Sequence, residues 1–334
     1  MWQKVQTQVA SSADARDIPK QYYAAKNRQV LETYSTPWLY TLFGFSSSGS
    51  FDKDQNRFLS FSLACYILAI ICLCHILGYS LAPTALVLAL LVVWFTPAHS
   101  DMHVGNVARL QLLFLALFLW VQSKANWAWR HVLGGFVLGL TVMFKPNFAF
   151  IVVCLCAGWV VFRQYRKLLL ECASMLFGAL LAFALSSWYV GSARLWLSWA
   201  AEMPRLMNEY DHSIVKGNYA LAELISEQLW PFSATVIFLI CFGLFVAVLV
   251  RIGRPSLRAS NPLDSTAEPW DDRLDLKRDI FFTGVGCVLS LLGVQLVWVH
   301  YFVLTIPLAL YLLRPVESED TLAVGARGTL RSLA

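Results

Sequence analysis

The sequence predicts an all-α polytopic membrane protein, and two observations carry that prediction. Of its 334 residues 58% are hydrophobic and 14% charged, with a mean hydropathy of +0.58, whereas soluble domains are about 25% charged. The hydrophobic residues also gather into about nine apolar segments, most of them near the roughly 20 residues that a helix needs to cross a bilayer. The net charge of +5 is small for this length. Its basic residues are spread among loops, which argues against nucleic acid as a partner. All eight cysteines (Cys65, Cys72, Cys74, Cys154, Cys156, Cys172, Cys241, Cys287) fall inside apolar segments, with no ligand-like pair in a loop. They read as packing residues and not as a disulfide or metal framework.

Taken in order, residues 1–57 are polar and contain no signal-like apolar run. The apolar segments follow near 58–79, 82–98, 107–123, 131–145, 147–163, 168–191, 229–252, 279–298 and 300–314. Lys145-Pro146-Asn147 separates the fourth from the fifth, and the His300-Tyr301 region separates the last two, so both breaks predict tight turns at a membrane surface. Lys and Arg collect in 123–131, 163–167, 252–278 and the tail after Arg314. Cytoplasmic loops are enriched in these residues, so alternation sets this side inside. The chain then divides into an outer-face N-terminal segment with an interfacial helix (1–57), a transmembrane domain (58–314) with an outer loop at 192–228, and a cytoplasmic tail (315–334). This orientation leaves the polar residues 1–57 outside with nothing to carry them across. It therefore predicts a further transmembrane helix upstream, with Met1 an internal or misassigned start.

The same orientation gathers the unusual polar groups on the outer face. Asp17 could take a proton from an attacking hydroxyl within about 3 Å, a solvated loop acid or a helix cap being the plainer reading. His99, Asp101 and His103 alternate, which in an extended loop sets three metal-type ligands on one side, although the spacing matches no known zinc pattern; hydrogen-bonding loop residues are the plainer reading. Arg109 and Gln111 follow Gly105-Asn106 at a helix start, where backbone N–H groups favour an anion and a guanidinium would seat a phosphate; a snorkelling arginine fits as well. Lys145 ends a helix, either facing an anion or complementing the helix C-terminus. Near the end of the chain, His300 and Tyr301 place polar aromatic groups between two helices.

In this order the features resemble glycosyltransferase family 87, a group of polyprenyl-phosphate-dependent hexosyltransferases with the GT-C membrane fold. The resemblance rests on Asp17 followed by Tyr22-Tyr23 and by Tyr34 to Pro37, on Gly105, Asn106 and Gln111 opening a helix, on the glycine-rich helix through Gly134, Gly135 and Gly139 to Lys145-Pro146, and on Trp298, His300 and Tyr301. It spans most of residues 14–314. It implies a GT-C-like bundle lacking the family's first helix, with Asp17 as catalytic base and Asp14 as the alternative. It also implies that Arg109, Lys145 and His300 face the donor phosphate, and that Tyr301, Asn106, Gln111, Tyr23 and Tyr34 line the donor site. Gly-Asn stands where many members have Gly-Gln. The implied reaction is inverting transfer of a hexose, mannose first among them, from a polyprenyl-phosphate donor to a lipid or glycan acceptor. It takes place at the outer face of a bacterial plasma membrane, as part of cell-envelope synthesis, among membrane lipids and without a cofactor.

Two other readings compete. A transporter or flippase lines a mid-membrane path with polar residues, but here the helix middles are nearly free of charge, Glu171 lying close to the inner end. An inactive truncated relative or scaffold is the other.

Overall fold

A computed structural model describes residues 35–104, 106–124, 126–209, 219–220, 234–259, 272–293, 297 and 299–314. Every element among the described residues is helical: α1 Pro37–Ser46, α2 Phe51–Ile76, α3 Leu81–Val93, α4 Thr96–Val104, α5 Ala108–Gln122, α6 Arg130–Val142, α7 Ala149–Val161, α8 Tyr165–Val190, α9 Arg194–Glu209, α10 Ala234–Ala259, α11 Asp272–Gly293 and α12 Ile306–Leu312, with 3-10 turns at Pro146–Phe148 and Val299–Thr305. A membrane requires this, since hydrocarbon offers backbone groups no partner and a helix satisfies its own.

Among the described residues each apolar segment of the sequence coincides largely with helix, but the lengths differ from the expected spans. Among the described residues two helices, Asp52–Ile76 and Tyr165–Val190, are long and apolar enough to cross a membrane, and a third span results if the bent pair Leu81–Val93 and Thr96–His103 is counted as one. Others are shorter: α3, α6 and α7 have 13 residues each, about 20 Å of helix against a hydrocarbon core of about 30 Å. By length and composition alone the described residues hold two or three spanning helices, so the expected count of about nine is not confirmed among them.

Local sequence explains several boundaries. Thr36 caps α1 in extended conformation, its hydroxyl accepting from the Leu39 N–H, with Pro37 in the first turn. At the other extreme α8 runs 26 residues and stops at Gly191, whose φ of 77° is the left-handed cap conformation. Asp52 and Asp54 occupy the first turn of α2, where carboxylates complement the helix dipole.

Packing follows from side-chain size. α6 lies against α8 with almost no side chain between them, because a Cβ at Gly135 would run into the Glu171 carbonyl, one at Gly139 into that of Met175, and one at Gly178 into that of Phe136. Small residues allow such approach between membrane helices. Gly139→Val is therefore expected to lower the thermal unfolding midpoint of the detergent-solubilised protein, since overpacking typically costs about 1–3 kcal/mol and backbone cannot move aside as a side chain can. Gly243→Ala on α10, where a Cβ meets nothing within 4 Å, is the neutral control. The main core joins α2, α5, α7 and α11 through Tyr66, Ile70, Leu115, Leu119, Trp159 and Phe282. A second cluster of Trp38, Leu39, Val107, Phe144 and Ala182 seats α1 beside the C-terminal end of α6.

Two buried polar networks close the end where α6 begins. Glu171 accepts from Gln122 and lies 3.2 Å from His131 Nδ1. Asp279 takes the Lys167 ammonium at 2.5 Å and the Trp159 indole N–H at 2.9 Å, tying α8 and α7 to α11. The basic loop at 163–167 thus feeds a fixed ion pair through Lys167.

Candidate functional site

The opposite end of α6, where the helix stops before Lys145, collects the polar residues that the sequence singled out between Thr96 and Asn147. The segment expected to be an extended loop is the helix α4, so His99 and His103 stand one turn apart on its exposed side and Asp101 is buried. His99 Nε2 lies 3.0 Å from the Val93 carbonyl. Helical geometry thus separates the three alternating ligands that an extended strand would have aligned. Among the described residues no group of three His, Cys, Asp or Glu side chains gathers as a metal site.

Asp101 points inward at Arg109. Its Oδ2 takes the Arg109 Nε–H at 2.8 Å, and both side chains are 0% exposed. Arg109, expected as a surface seat for phosphate, is the cation of a buried ion pair between α4 and α5. At the start of α5 the Asn106 N–H bonds the Asp101 carbonyl at 3.1 Å. The pair and this bond together fix how α5 begins.

Asn106 is the hub of the exposed side. Its Oδ1 accepts from Lys145 Nζ at 2.8 Å and from the Val107 N–H at 2.6 Å, while Nδ2 lies 2.5 Å from His300 Nε2. Lys145 is half-buried, in extended backbone after α6, with its ammonium 4.9 Å from the Tyr301 ring centre. His300 is buried and its ring meets that of Tyr301 edge-on at 4.6 Å. The 3-10 helix Val299–Thr305 that carries both packs on α4 and α5. Asn106, Lys145, His300 and Tyr301 thus converge from three separate stretches of chain.

Gln111 does not join them. It is 0% exposed and its amide has no hydrogen-bond partner among the described residues. Asp14, Asp17, Tyr23, Tyr34 and Trp298 lie outside the described residues.

One residue that sequence reasoning passed over pins the next stretch of chain to this place. The Thr36 hydroxyl reaches the Met143 carbonyl at 2.5 Å and the Phe144 carbonyl at 3.1 Å, groups left open where α6 ends. Its signal was the Thr-Pro pair of a helix start. The chain from residue 35 onward accordingly enters the described fold directly beside Lys145. Chemically, the cluster offers a partly exposed ammonium against an aromatic face. The ring face holds the cation, and a bound anion would meet the ammonium on the side away from the ring.

No curated protein and no solved structure matches the chain. Residues 51–265 match the sequence profile of glycosyltransferase family 87, a range that holds Asn106, Arg109 and Lys145 while Asp14 and Asp17 precede it and His300 follows it. An apolar chain whose described elements are all helical and that carries this match is a membrane enzyme that transfers sugar, and it belongs to glycosyltransferase family 87.

Proposed function

We propose that the protein transfers a hexose, mannose first among them, from a polyprenyl-phosphate donor to a lipid or glycan acceptor at the outer face of a bacterial plasma membrane. The observation that carries this reading is the half-buried Lys145 ammonium, held by Asn106 and flanked by Tyr301 at the end of α6. A polyprenyl phosphate keeps its tail in lipid and its sugar at the surface, so a cation at a helix end is placed to meet the phosphate.

In this reading the acceptor hydroxyl attacks the anomeric carbon from the face opposite the phosphate, with inversion. Asp17 takes the hydroxyl proton, the bond from the anomeric carbon to the phosphate oxygen breaks, and the polyprenyl phosphate leaves with the bonding electrons. Negative charge grows on the departing phosphate, and Lys145 stabilises it. Arg109 supports this arrangement from within through Asp101 rather than touching the donor.

The test is transfer of labelled mannose from polyprenyl-phosphate mannose by membranes containing the protein, beside Asp17→Asn and Asp14→Asn. Loss of a general base typically lowers the rate by about 10²–10⁴-fold, and this loss is expected for Asp17→Asn while Asp14→Asn stays near wild type. The reverse order moves the base to Asp14. Full activity in both variants removes the carboxylate from the mechanism.

A further inference from the structure

The Asn106 amide has a forced orientation. Lys145 Nζ and the Val107 N–H both reach one of its terminal atoms, at 2.8 and 2.6 Å. Both are donors, so that atom is the oxygen. The other is then the NH₂ group, and it faces His300 Nε2 at 2.5 Å. An NH₂ can only donate, so Nε2 must present its lone pair, and a neutral ring with an occupied Nε2 carries its proton on Nδ1. An imidazolium in the same place would set one N–H against another, on a ring already buried and neighboured by the Lys145 ammonium.

We infer that Asn106 is a positioning residue that holds His300 as the neutral Nδ1–H tautomer and, through its oxygen, aims the Lys145 ammonium beside Tyr301, so that His300 is a fixed strut rather than a proton carrier and Lys145 is the cation presented to an anion. The two contacts to the Asn106 oxygen occupy its acceptor side, and one N–H of its nitrogen serves the imidazole. The role assigned to Lys145 rests on the proposed transfer from a phosphate-linked donor; the tautomer of His300 does not.

The decisive measurement is nitrogen NMR of the full chain in nanodiscs with ¹⁵N-labelled histidine, the signals of His300 being assigned by their loss in His300→Gln. The expected wild-type spectrum at neutral pH shows an unprotonated Nε2 and a protonated Nδ1. Asn106→Asp replaces the NH₂ by an oxygen and keeps an acceptor for Lys145, so it is expected to move the proton to Nε2. A protonated Nε2 in the wild-type protein overturns the inference, and this holds even if the variant fails to fold. A folded Asn106→Asp with the wild-type spectrum overturns it as well.

Transfer kinetics supply the second arm. Asn106→Asp places a carboxylate on the Lys145 ammonium and is expected to lower kcat by about 10²-fold, the scale of a misplaced catalytic group, with KM little changed. A rise in KM with kcat intact overturns the positioning role by making Asn106 a donor contact. If the wild-type protein shows the expected tautomer yet transfers nothing from polyprenyl-phosphate mannose, the proposed reaction falls and the assignment of His300 stands.

Discussion

Arg109→Ala is expected to cost about 3–5 kcal/mol of stability, because removing one partner of a buried ion pair strands the other charge away from water. Asp101 and Arg109 are both 0% exposed and meet at 2.8 Å, and no further bond to the guanidinium Nη atoms occurs among the described residues. The pair thus lacks the extra hydrogen bonds that make such a bridge strongly favourable in itself. The prediction therefore has a second half: Asp101→Leu with Arg109→Met, which removes both charges and keeps the volume, is expected to recover most of the loss. Thermal unfolding of the detergent-solubilised single and double variants measures both halves. If the double variant folds but remains as unstable as Arg109→Ala, the ion pair does more than neutralise itself. The Asp101 backbone carbonyl also holds the Asn106 N–H, a bond that Asp101→Ala leaves in place, so that variant tests the loss of the ion pair alone.

That pair marks a limit of what the sequence shows. Arg109 at a helix start reads as an anion seat because its neighbours are Gly105 and Asn106, and nothing along the chain announces that the preceding stretch is a helix with Asp101 turned inward. Alternation at 99, 101 and 103 has opposite meanings in a strand and in a helix, and α4 has too mixed a composition to show its period. Helix starts were hidden for a related reason. Hydropathy starts the first apolar segment at 58 and the eighth at 279, yet α2 begins at Phe51 and α11 at Asp272. The added turns are polar. Asp54 bonds the Ser47 hydroxyl at 2.8 Å in one case, and Asp275 and Asp279 engage Gln164 and Lys167 in the other.

What was legible was the common end of the polar groups. Asn106, Lys145 and His300 were expected on one face from the sidedness of their loops alone, and the structure brings them into contact across 39 and 194 residues of chain. Topology set the end of the bundle, because each sits where an apolar run stops. The bonds among them depend on the break at Lys145-Pro146 and on the 3-10 turn at Val299–Thr305, whose geometry hydropathy does not encode.

Lys145→Met carries the largest expected effect on transfer. Removing one group that stabilises growing charge in a transition state typically costs about 10²–10³-fold in kcat, and the ammonium is the cation that this end of α6 presents on its half-buried side. Methionine keeps the length and apolar stem of lysine, so packing against Tyr301 survives and the thermal midpoint is expected to stay near wild type. Lys145→Arg is expected to recover activity only in part, since a planar fork cannot reproduce a point charge set by one Asn106 bond. The informative comparison is with Asp17→Asn. A base and a cation that serve the same bond-breaking step act as one unit, and groups of that kind lose far less in combination than the product of their separate losses. The double variant is therefore expected to be scarcely slower than the worse single one. Losses that multiply would place the two groups on separate steps, leaving Lys145 to bind the phosphate and the carboxylate to do chemistry without it.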